Sequence, residues 1–508
     1  MDTQVIVVGA GPVGLMLAGE LRLGGAEVVV VERLAAPTAE SRASTLHARS
    51  MEIFDQRGLL AELGEPPSDR RGHFGGIPLD FGELPTSYPG QWKVPQARVE
   101  QLLAGWADRL GADLRRGYEL SGLVDAGDRV RARLIGPAGP VTLTASYLIG
   151  CDGEGSSVRR LAGFPFPGRG PTRELLRADV AGIDVPARRF ERLPGGLAIA
   201  ARGRDGVTRV MVAEFRPPSG RRISAPSFAE LCATWARVTG EDISGGTPLW
   251  LNAFGDASRQ AAQYRIGRVL LAGDAAHQQL PAGGQAINLG IQDAVNLGWK
   301  LAAQVRGRAP EGLLDTYHAE RHATGGRVLR GIEAQARLLL GAAEVEPVRT
   351  VLAELIRFPV VRDRLAGTIS GLDVRYHQGG HPLAGTRMPH LELATSDGVT
   401  STAAVLRAGH GVLLDLSGDP VRLAWLRVAA RRWAGQVDLV PATGPSDGPV
   451  RGLDTVLLRP DGYVAWASSA AGDPRPALHR WFGTGIESGS NTRAARPIAE
   501  PQHPGGRS

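Results

Sequence analysis

The chain has only two cysteines in 508 residues, Cys151 and Cys232, and they do not form a Cys-x-x-Cys pair. Their scarcity excludes a disulfide scaffold, a thiolate metal site and dithiol redox chemistry, and it suits a reducing compartment. Lysine occurs only at 93 and 300, so the net charge of +6 rests on arginine. The arginines are interleaved with acids and not gathered in runs, which is the pattern of a solvated surface and argues against nucleic-acid binding. No apolar run approaches the ~20 residues of a membrane span. The first strand-like segment begins within four residues of Met1, with no basic flank or cleavage site. A cytoplasmic setting is therefore expected, with neither export nor an anchor. Aromatic residues are few at 5 %, yet a chain that is 43 % hydrophobic can bury large cores, and its length points to more than one domain.

Glycine, by contrast, is abundant, and it is placed where strands meet helices. The most informative stretch is Gly273-Asp274-Ala275-Ala276-His277 followed by Pro281-Ala282-Gly283-Gly284-Gln285-Ala286-Ile287-Asn288. A strand-like run, Val269 to Ala272, leads into it and a helix-like run, Leu289 to Leu301, leaves it. An acid and a glycine turn at such a junction suit the polar tail of a cofactor: Asp274 can accept a hydroxyl, and the Gly283-Gly284 backbone can approach a planar ring too closely for any side chain. The plainer alternative is a surface turn with an N-capping Asp. His277 reads either as a base or as a turn cap.

A second glycine block opens the chain. Gln4 to Val8 is β-branched and apolar, as a buried parallel strand should be, and runs into Gly9-Ala10-Gly11-Pro12-Val13-Gly14, with a helix over Leu15 to Leu23 and a second strand, Glu27 to Val31, ending in Glu32-Arg33. The glycines permit a tight turn and close approach of a diphosphate, and an acid after the second strand binds ribose hydroxyls. Glu32 favours an unphosphorylated adenosine ribose, hence FAD or NAD in this loop. Arg42 follows the second strand, and Gln96 and Arg98 open a helix to about Leu110; each reads as a cofactor contact or as an ordinary surface arginine or amide. Tyr147 to Gly150 is another strand, ending in Cys151-Asp152-Gly153 before a helix start at Ser156, which a capped helix also explains.

The middle region changes character. Leu175 to Ile183, Gly196 to Ala201, Val207 to Phe215 and Leu249 to Phe254 are short runs separated by Pro, Gly and Arg, as in antiparallel strands with one buried face. Leu313 to Ala342 is helical. Its His318 and His322 are spaced like metal ligands but lack a third partner, so no metal site is assigned. Gly379 to Gly385 reads as a linker to a compact α/β unit ending in a hairpin near Thr455 to Trp466. Residues 488–508, rich in Ser, Arg, Pro and Gly, have the composition of a disordered tail.

The three blocks, in this order and spacing, resemble the single-component (group A) FAD-dependent aromatic hydroxylases of the para-hydroxybenzoate hydroxylase type. The runs Phe54 to Gly58, Gly72 to Gly76, Leu280 to Gln285 and Gln292 to Leu301 are most similar to the bacterial aromatic-polyketide hydroxylases that tailor angucyclines in antibiotic biosynthesis. The resemblance implies an α/β protein. A Rossmann-like FAD-binding domain would occupy 1–174, with a substrate-domain insertion at about 70–100, and resume over 261–375. An antiparallel-sheet substrate domain would fill 175–260, and a thioredoxin-like domain without Cys-x-x-Cys 380–487. It implies that Gly9, Gly11, Pro12, Gly14, Glu32 and Arg33 hold the adenosine end of FAD, with Arg42, Gln96 and Arg98 nearer the pyrophosphate and ribityl chain. Gly273 and Asp274 would meet the ribityl, and Pro281, Gly283, Gly284, Gln285, Ala286, Ile287 and Asn288 would border the isoalloxazine. Asp152 and Gly153 would serve both FAD and a transient NADPH. Phe74, Trp92, Met211, Phe215 and Phe254 are the substrate-facing candidates. The expected reaction transfers oxygen from a flavin C4a-hydroperoxide, formed from NADPH and O2, to a polycyclic aromatic polyketide. No catalytic base is identifiable, and a homodimer stays open. Two departures from the family pattern stand in the key block: Ala286 replaces a usual Gly, and Gln278-Gln279 a less polar pair. Two other readings also stay open, a Baeyer-Villiger or ring-rearranging oxygenase, and a flavin-binding pathway protein without oxygenase activity.

Overall fold

The computed structural model describes residues 1–37, 45–203, 205–215, 225–376, 380–445 and 447–485. Arg42 and the 488–508 segment lie outside the described residues. The chain forms a Rossmann-like α/β body, an antiparallel-sheet unit and a carboxy-terminal α/β unit, the expected class.

The central sheet has six strands in the order Arg265–Ile266, Val269–Leu271, Tyr147–Gly150, Val5–Val8, Val28–Glu32, Asp113–Arg116. All neighbours are parallel except the outermost pair, Arg265–Ile266 with Val269–Leu271. Val5–Val8 and Tyr147–Gly150 are buried at every position, which is why they read as unbroken apolar runs: helix Pro12–Leu23 and the three-stranded sheet Glu119–Asp125, Val130–Gly136, Gly139–Ala145 share one core with them, leaving no solvated side to be polar. Helix Pro12–Leu23 starts three residues before the sequence reading placed it, because Pro12 at its first turn has a preset φ and no amide to satisfy.

That helix is gripped closely by two others. A Cβ on Gly19 would lie 2.0 Å from the Trp106 ring of helix Gln96–Arg109, and one on Gly298 of helix Gln285–Val305 would lie 2.3 Å from Glu20 Cβ. Tight approach of three helices at glycines brings the long Gln285–Val305 helix under the sheet, so that its amino end is held at the carboxyl edge of the strands.

The second sheet has five antiparallel strands in the order Arg188–Leu193, Gly196–Arg202, Thr208–Glu214, Glu174–Ala181, Thr247–Gly255. Arg188–Leu193 was not foreseen, since its charged sequence RRFERL hides the alternation. One face packs on helix Phe228–Thr239 through Ala178, Val180, Val210 and Trp235. The other faces the Leu280–Leu289 segment and helix Asp315–Leu340 through Leu175, Leu197 and Ala213.

Residues 71–80 form a hairpin that packs with helices Glu346–Leu355 and Pro359–Ser370 around Ile77, Leu79, Phe81 and Ile369. The carboxy-terminal unit has a four-stranded sheet, Val437–Pro441, Gly411–Asp415, Thr455–Leu458, Val464–Ser468, flanked by helices Pro420–Ala430 and Arg475–Phe482. It is fastened to the main body by buried charge. Arg459 donates to Glu320 at 2.6 Å and to Asp461, Lys300 meets Glu320 at 2.7 Å, and Arg57 joins Glu20 at 2.5 Å while also donating to the Pro460 carbonyl. No helix among the described residues is long and apolar enough to cross a membrane.

Candidate active site

Strand order brings the three glycine-containing blocks together. Val5–Val8, Tyr147–Gly150 and Val269–Leu271 are consecutive parallel neighbours, so Gly9, Cys151-Asp152 and Gly273-Asp274 leave adjacent carboxyl ends, where open α/β sheets bind ligands. Gly9 is held at φ +105, and a Cβ there would lie 2.5 Å from the Cys151 carbonyl oxygen. At Gly14 a Cβ would lie 2.0 Å from the Gly9 carbonyl oxygen. These two glycines are required by the protein itself. Gly11 and Gly153 are different: a Cβ at either would meet nothing within 4 Å, so their backbone faces open space. Gly11 caps helix Pro12–Leu23 with no side-chain hydrogen bond, which leaves the helix amides directed at that space.

The acids divide their work. Glu32 accepts from Ala10 N at 2.8 Å and Leu34 N at 2.9 Å, so its carboxylate also braces the glycine loop, while Arg33 lies exposed beyond it. Asp152 accepts from the Ser156 hydroxyl at 2.5 Å and from Ser157 N at 2.7 Å, which makes it a helix cap. Arg159, in the short helix that follows, crosses to the third block and donates to the Ala275 carbonyl at 2.9 Å. Asp274 is the one exposed residue of its turn, between buried Gly273 and Ala275. Gln96 donates to Glu100 at 2.8 Å, and Arg98 is turned onto Gln101 and the Glu62 carbonyl, an exposed pairing.

The loop before the long helix is built around two successive left-handed glycines, Gly283 at φ +64 and Gly284 at φ +66, and Gly284 is an uncapped amino-terminal residue of helix Gln285–Val305. Side chains that sequence reasoning missed hold this loop. His47 donates from Nε2 to the Gly283 carbonyl at 2.7 Å, and burial pushes its pKa down to about 4, which keeps the ring neutral. Asn288, expected to border the ring, uses its side-chain amide to lock the loop. Its Oδ1 accepts from His47 N at 2.8 Å and Ser50 Oγ at 2.7 Å, and its Nδ2 donates to Thr45 O at 3.0 Å and Gly284 O at 2.8 Å. An amide has two donors and two lone pairs, so none is left for a ligand. Ile287 is likewise buried in the main core, whereas Pro281 is exposed and Ala286 half-buried.

Beneath the turn, Asp293 accepts from the Gly273 backbone amide at 3.1 Å, His277 Nε2 at 2.8 Å and Arg321 Nε at 2.7 Å, and the side chains of Asp293, His277 and Arg321 are fully buried. Burial pushes the Asp293 carboxyl up, but Arg321 and His277 more than reverse this and leave it below its ordinary value. His277 is thus a buried structural partner of Asp293, and the turn-cap reading beside Asp274 is replaced. The signal available in sequence was a lone acid in an apolar stretch of helix, which has to be paired if it is buried. The His318 and His322 rings lie tilted to each other, centres 4.8 Å apart, beside Tyr264, whose backbone amide donates to His318.

Met211, Phe215 and Phe254 gather on the sheet face opposite Leu280, Ala282 and Leu289. Two other candidates sit elsewhere. Trp92 packs against the central core beside Tyr88, and Phe74 belongs to the hairpin cluster with Ile77 and Phe81. Gln278 and Gln279 point different ways: Gln278 reaches Glu154 at 3.2 Å, whereas both amide atoms of Gln279, and Nε2 of Gln285, are buried without a hydrogen-bond partner. Open glycine backbone at one end and unmet buried amides at the other, joined by an exposed acid, fit an elongated ligand with a diphosphate and a polar ring.

Residues 2–331 match the model of the FAD binding domain, and residues 381–485 that of the aromatic-ring hydroxylase C-terminal domain. The chain belongs to the FAD-dependent aromatic-ring hydroxylases. Within that family it is 43 % identical to 12-dehydrotetracycline 5-monooxygenase/anhydrotetracycline 6-monooxygenase of Streptomyces rimosus, over 95 % of this chain and 99 % of that one. The crystal structure of CabE, an aromatic hydroxylase from angucycline biosynthesis, superposes with a TM-score of 0.91 at 50 % identity, covering 96 % of this chain and 100 % of CabE. Dialkyldecalin synthase of Streptomyces rugosporus is 40 % identical over 95 % of this chain and 99 % of its own. The hydroxylase family therefore includes a relative named for a cyclisation product.

Proposed function

We propose that the protein hydroxylates a polycyclic aromatic polyketide of the angucycline type, using FAD, NADPH and O2, in antibiotic biosynthesis. The observation that carries this reading is the apolar sheet face of Met211, Phe215 and Phe254 packed in one cluster with Leu280, Ala282 and Leu289, which would place a flat aromatic body beside the ring end of the cofactor site. The CabE and tetracycline-oxygenase relatives support the substrate class.

The FAD, once reduced and charged with dioxygen, supplies an electrophilic oxygen atom. The protein supplies position. Gly9, Gly11, Pro12, Gly14, Glu32 and Arg33 would hold the adenosine end, Asp274 the ribityl hydroxyls, and Gly283, Gly284, Gln285 and Ala286 the ring. Asp152 and Gly153 would act chiefly as the wall behind Gly9, with the Asp152 cap preserving its shape. The uncapped amides at the start of helix Gln285–Val305 favour negative charge on the ring. His47 and Asn288 keep those amides aimed. Leu280, Ala282 and Leu289 exclude water from the reacting face. We assign no protein base; hydroxyls of the substrate ring would share that task. The division at about 174, 260 and 375, the thioredoxin-like reading of the carboxy-terminal unit, which contains no cysteine, and a cytoplasmic setting belong to the same proposal.

The test is anaerobic mixing of the purified yellow protein with NADPH and an angucyclinone, then exposure to labelled dioxygen. Flavin bleaching and one labelled oxygen atom on an aromatic carbon are expected. A labelled lactone would instead show Baeyer-Villiger chemistry. The dialkyldecalin synthase relative favours one rival, a flavin-bound protein that turns over substrate without NADPH; absence of flavin reduction with every reductant and substrate tried would establish it.

A further inference from the structure

Helix Asp315–Leu340 lays an apolar stripe against the glycine loop and the second sheet. Val328, Ile332, Ala336 and Leu339 are buried in one cluster with Leu280 and Ala282 of the loop and with Leu175 and Leu197 of the sheet. Gln335 falls within that stripe, between Ile332 and Ala336, and is only 1 % exposed. Packing alone would put an apolar side chain there, because a buried amide brings two donors and two lone pairs that all need partners.

The protein itself satisfies Gln335 poorly. Its Oε1 accepts from Gly75 N at 3.5 Å and its Nε2 donates to the Gly331 carbonyl at 3.4 Å, both longer than ordinary hydrogen bonds. These contacts nevertheless fix the amide's orientation, with the oxygen turned towards the glycine loop. The nearest neighbours of a Cβ built on Gly283 would be Gln335 Oε1 at 3.5 Å and Gln285 Nε2 at 3.6 Å. Gln285 is 4 % exposed, and its Nε2 has no hydrogen-bond partner among the described residues. The Gly283 carbonyl is directed elsewhere, to His47 Nε2 at 2.7 Å. An amide oxygen with a lone pair to spare and an amide N–H with no partner therefore border one small space beside the Gly283 α-carbon. One comes from the helix and the other from the loop.

We infer that Gln335 and Gln285 form a specificity-determining pair that receives an aromatic hydroxyl of the substrate, with Gln285 Nε2 donating to the hydroxyl oxygen and the hydroxyl donating to Gln335 Oε1. A hydroxyl matches the pair because it both accepts and donates. A carbonyl or ether oxygen would meet Gln285 alone and face the Gln335 lone pair, and a bare C–H edge would leave both amides unmet. The hydroxyl fixes the end of the ring system next to the glycine loop, and the apolar stripe carries the body behind it. The assignment rests on the aromatic-substrate reading above.

The test titrates the full chain loaded with FAD, without reductant, with three probes of nearly equal shape: anthraquinone, 2-aminoanthraquinone and 2-hydroxyanthraquinone, the last at a pH where its hydroxyl is un-ionised. Absorbance gives each dissociation constant. The aryl amine donates but accepts poorly, so it reads Gln335, whereas the hydroxyl reads both residues. Wild type should prefer the amine about fivefold over anthraquinone and the hydroxyl about twenty-fivefold, for one and two hydrogen bonds. Gln335→Met should bind anthraquinone as wild type does but lose the amine's advantage, and Gln335→Glu, which keeps an acceptor oxygen, should restore it. Gln285→Met should keep the amine's advantage and reduce the hydroxyl's to about the same fivefold. Equal affinity of wild type for all three probes overturns the assignment. So does a Gln335→Met variant that retains FAD and either keeps the amine's advantage or weakens all three probes alike. If Gln335→Met does not retain FAD, the wild-type and Gln285→Met ratios decide by themselves. If wild type binds none of the probes, the aromatic-substrate reading fails first and the Gln335 assignment falls with it.

Discussion

His47 is the residue whose removal tests the loop lock most sharply, because its contribution has a sign in pH. Its ring is buried and neutral, with the pKa lowered from 6.5 to about 4 by burial. A histidine whose folded pKa lies below its unfolded value stabilises the fold only while it is neutral in both states. That contribution is complete above pH 6.5 and is lost as the pH falls towards 4, since the unfolded chain takes up the proton first. Linkage over that interval amounts to about 2 kcal/mol at pH 5 for one such group. The variant is His47→Gln, whose side-chain NH2 can still donate to the Gly283 carbonyl but cannot titrate. The assay is urea denaturation at pH 7.5 and pH 5. Wild type should lose about 2 kcal/mol more than the variant between these conditions. His73, also lowered to about 4 by burial, and the oppositely shifted His410, raised by its hydrogen bond to Asp438, affect both proteins alike and cancel in the difference. Equal losses in the two proteins would refute the buried neutral donor. So would a larger loss in the variant.

The other predictions concern the glycines, the amide lock and the junction with the carboxy-terminal unit. Gly11→Ala should fold with stability within about 0.5 kcal/mol of wild type, because its Cβ enters open space, yet lose FAD affinity at least several-fold by equilibrium dialysis. Gly9→Ala should fail to give folded protein by circular dichroism, because the new Cβ meets the Cys151 carbonyl at a left-handed φ. Asn288→Ala strands two buried donors and two acceptors; a loss of about 2–4 kcal/mol and weakened FAD retention are expected in urea titration and gel filtration. Arg459→Met leaves Glu320 and Asp461 facing each other across Lys300 alone, and should destabilise by about 3–5 kcal/mol, seen as earlier proteolysis near residue 380.

Much of the cofactor half was legible because local rules and tertiary constraint coincide there. A strand that must be apolar throughout, a glycine that must turn and an acid that must end the next strand all leave marks within thirty residues. The antiparallel strands were readable where alternation was clean, and Arg188–Leu193 was not, because its arginines pair with Glu241 and Glu346 and need no apolar partner in sequence. Met211, Phe215 and Phe254 share a face through register, whereas Phe74 and Trp92 look equally apolar in sequence but pack into other cores. Asn288 illustrates the same limit: its place in the motif is visible, but three of its four side-chain hydrogen bonds reach back to Thr45, His47 and Ser50, more than 230 positions away.

Composition and spacing alone determined the class of fold and the family, since each depends on residue type at short range. Tertiary structure alone decided which acids are taken up in the protein's own hydrogen bonds and which is exposed. Asp152 caps a helix, Asp293 anchors a turn and Asp274 is left outward, three acids beside glycines or in a helix that sequence cannot rank. The difference arises because a buried carboxylate must be hydrogen-bonded, and its partners are supplied by whichever elements the sheet order brings alongside.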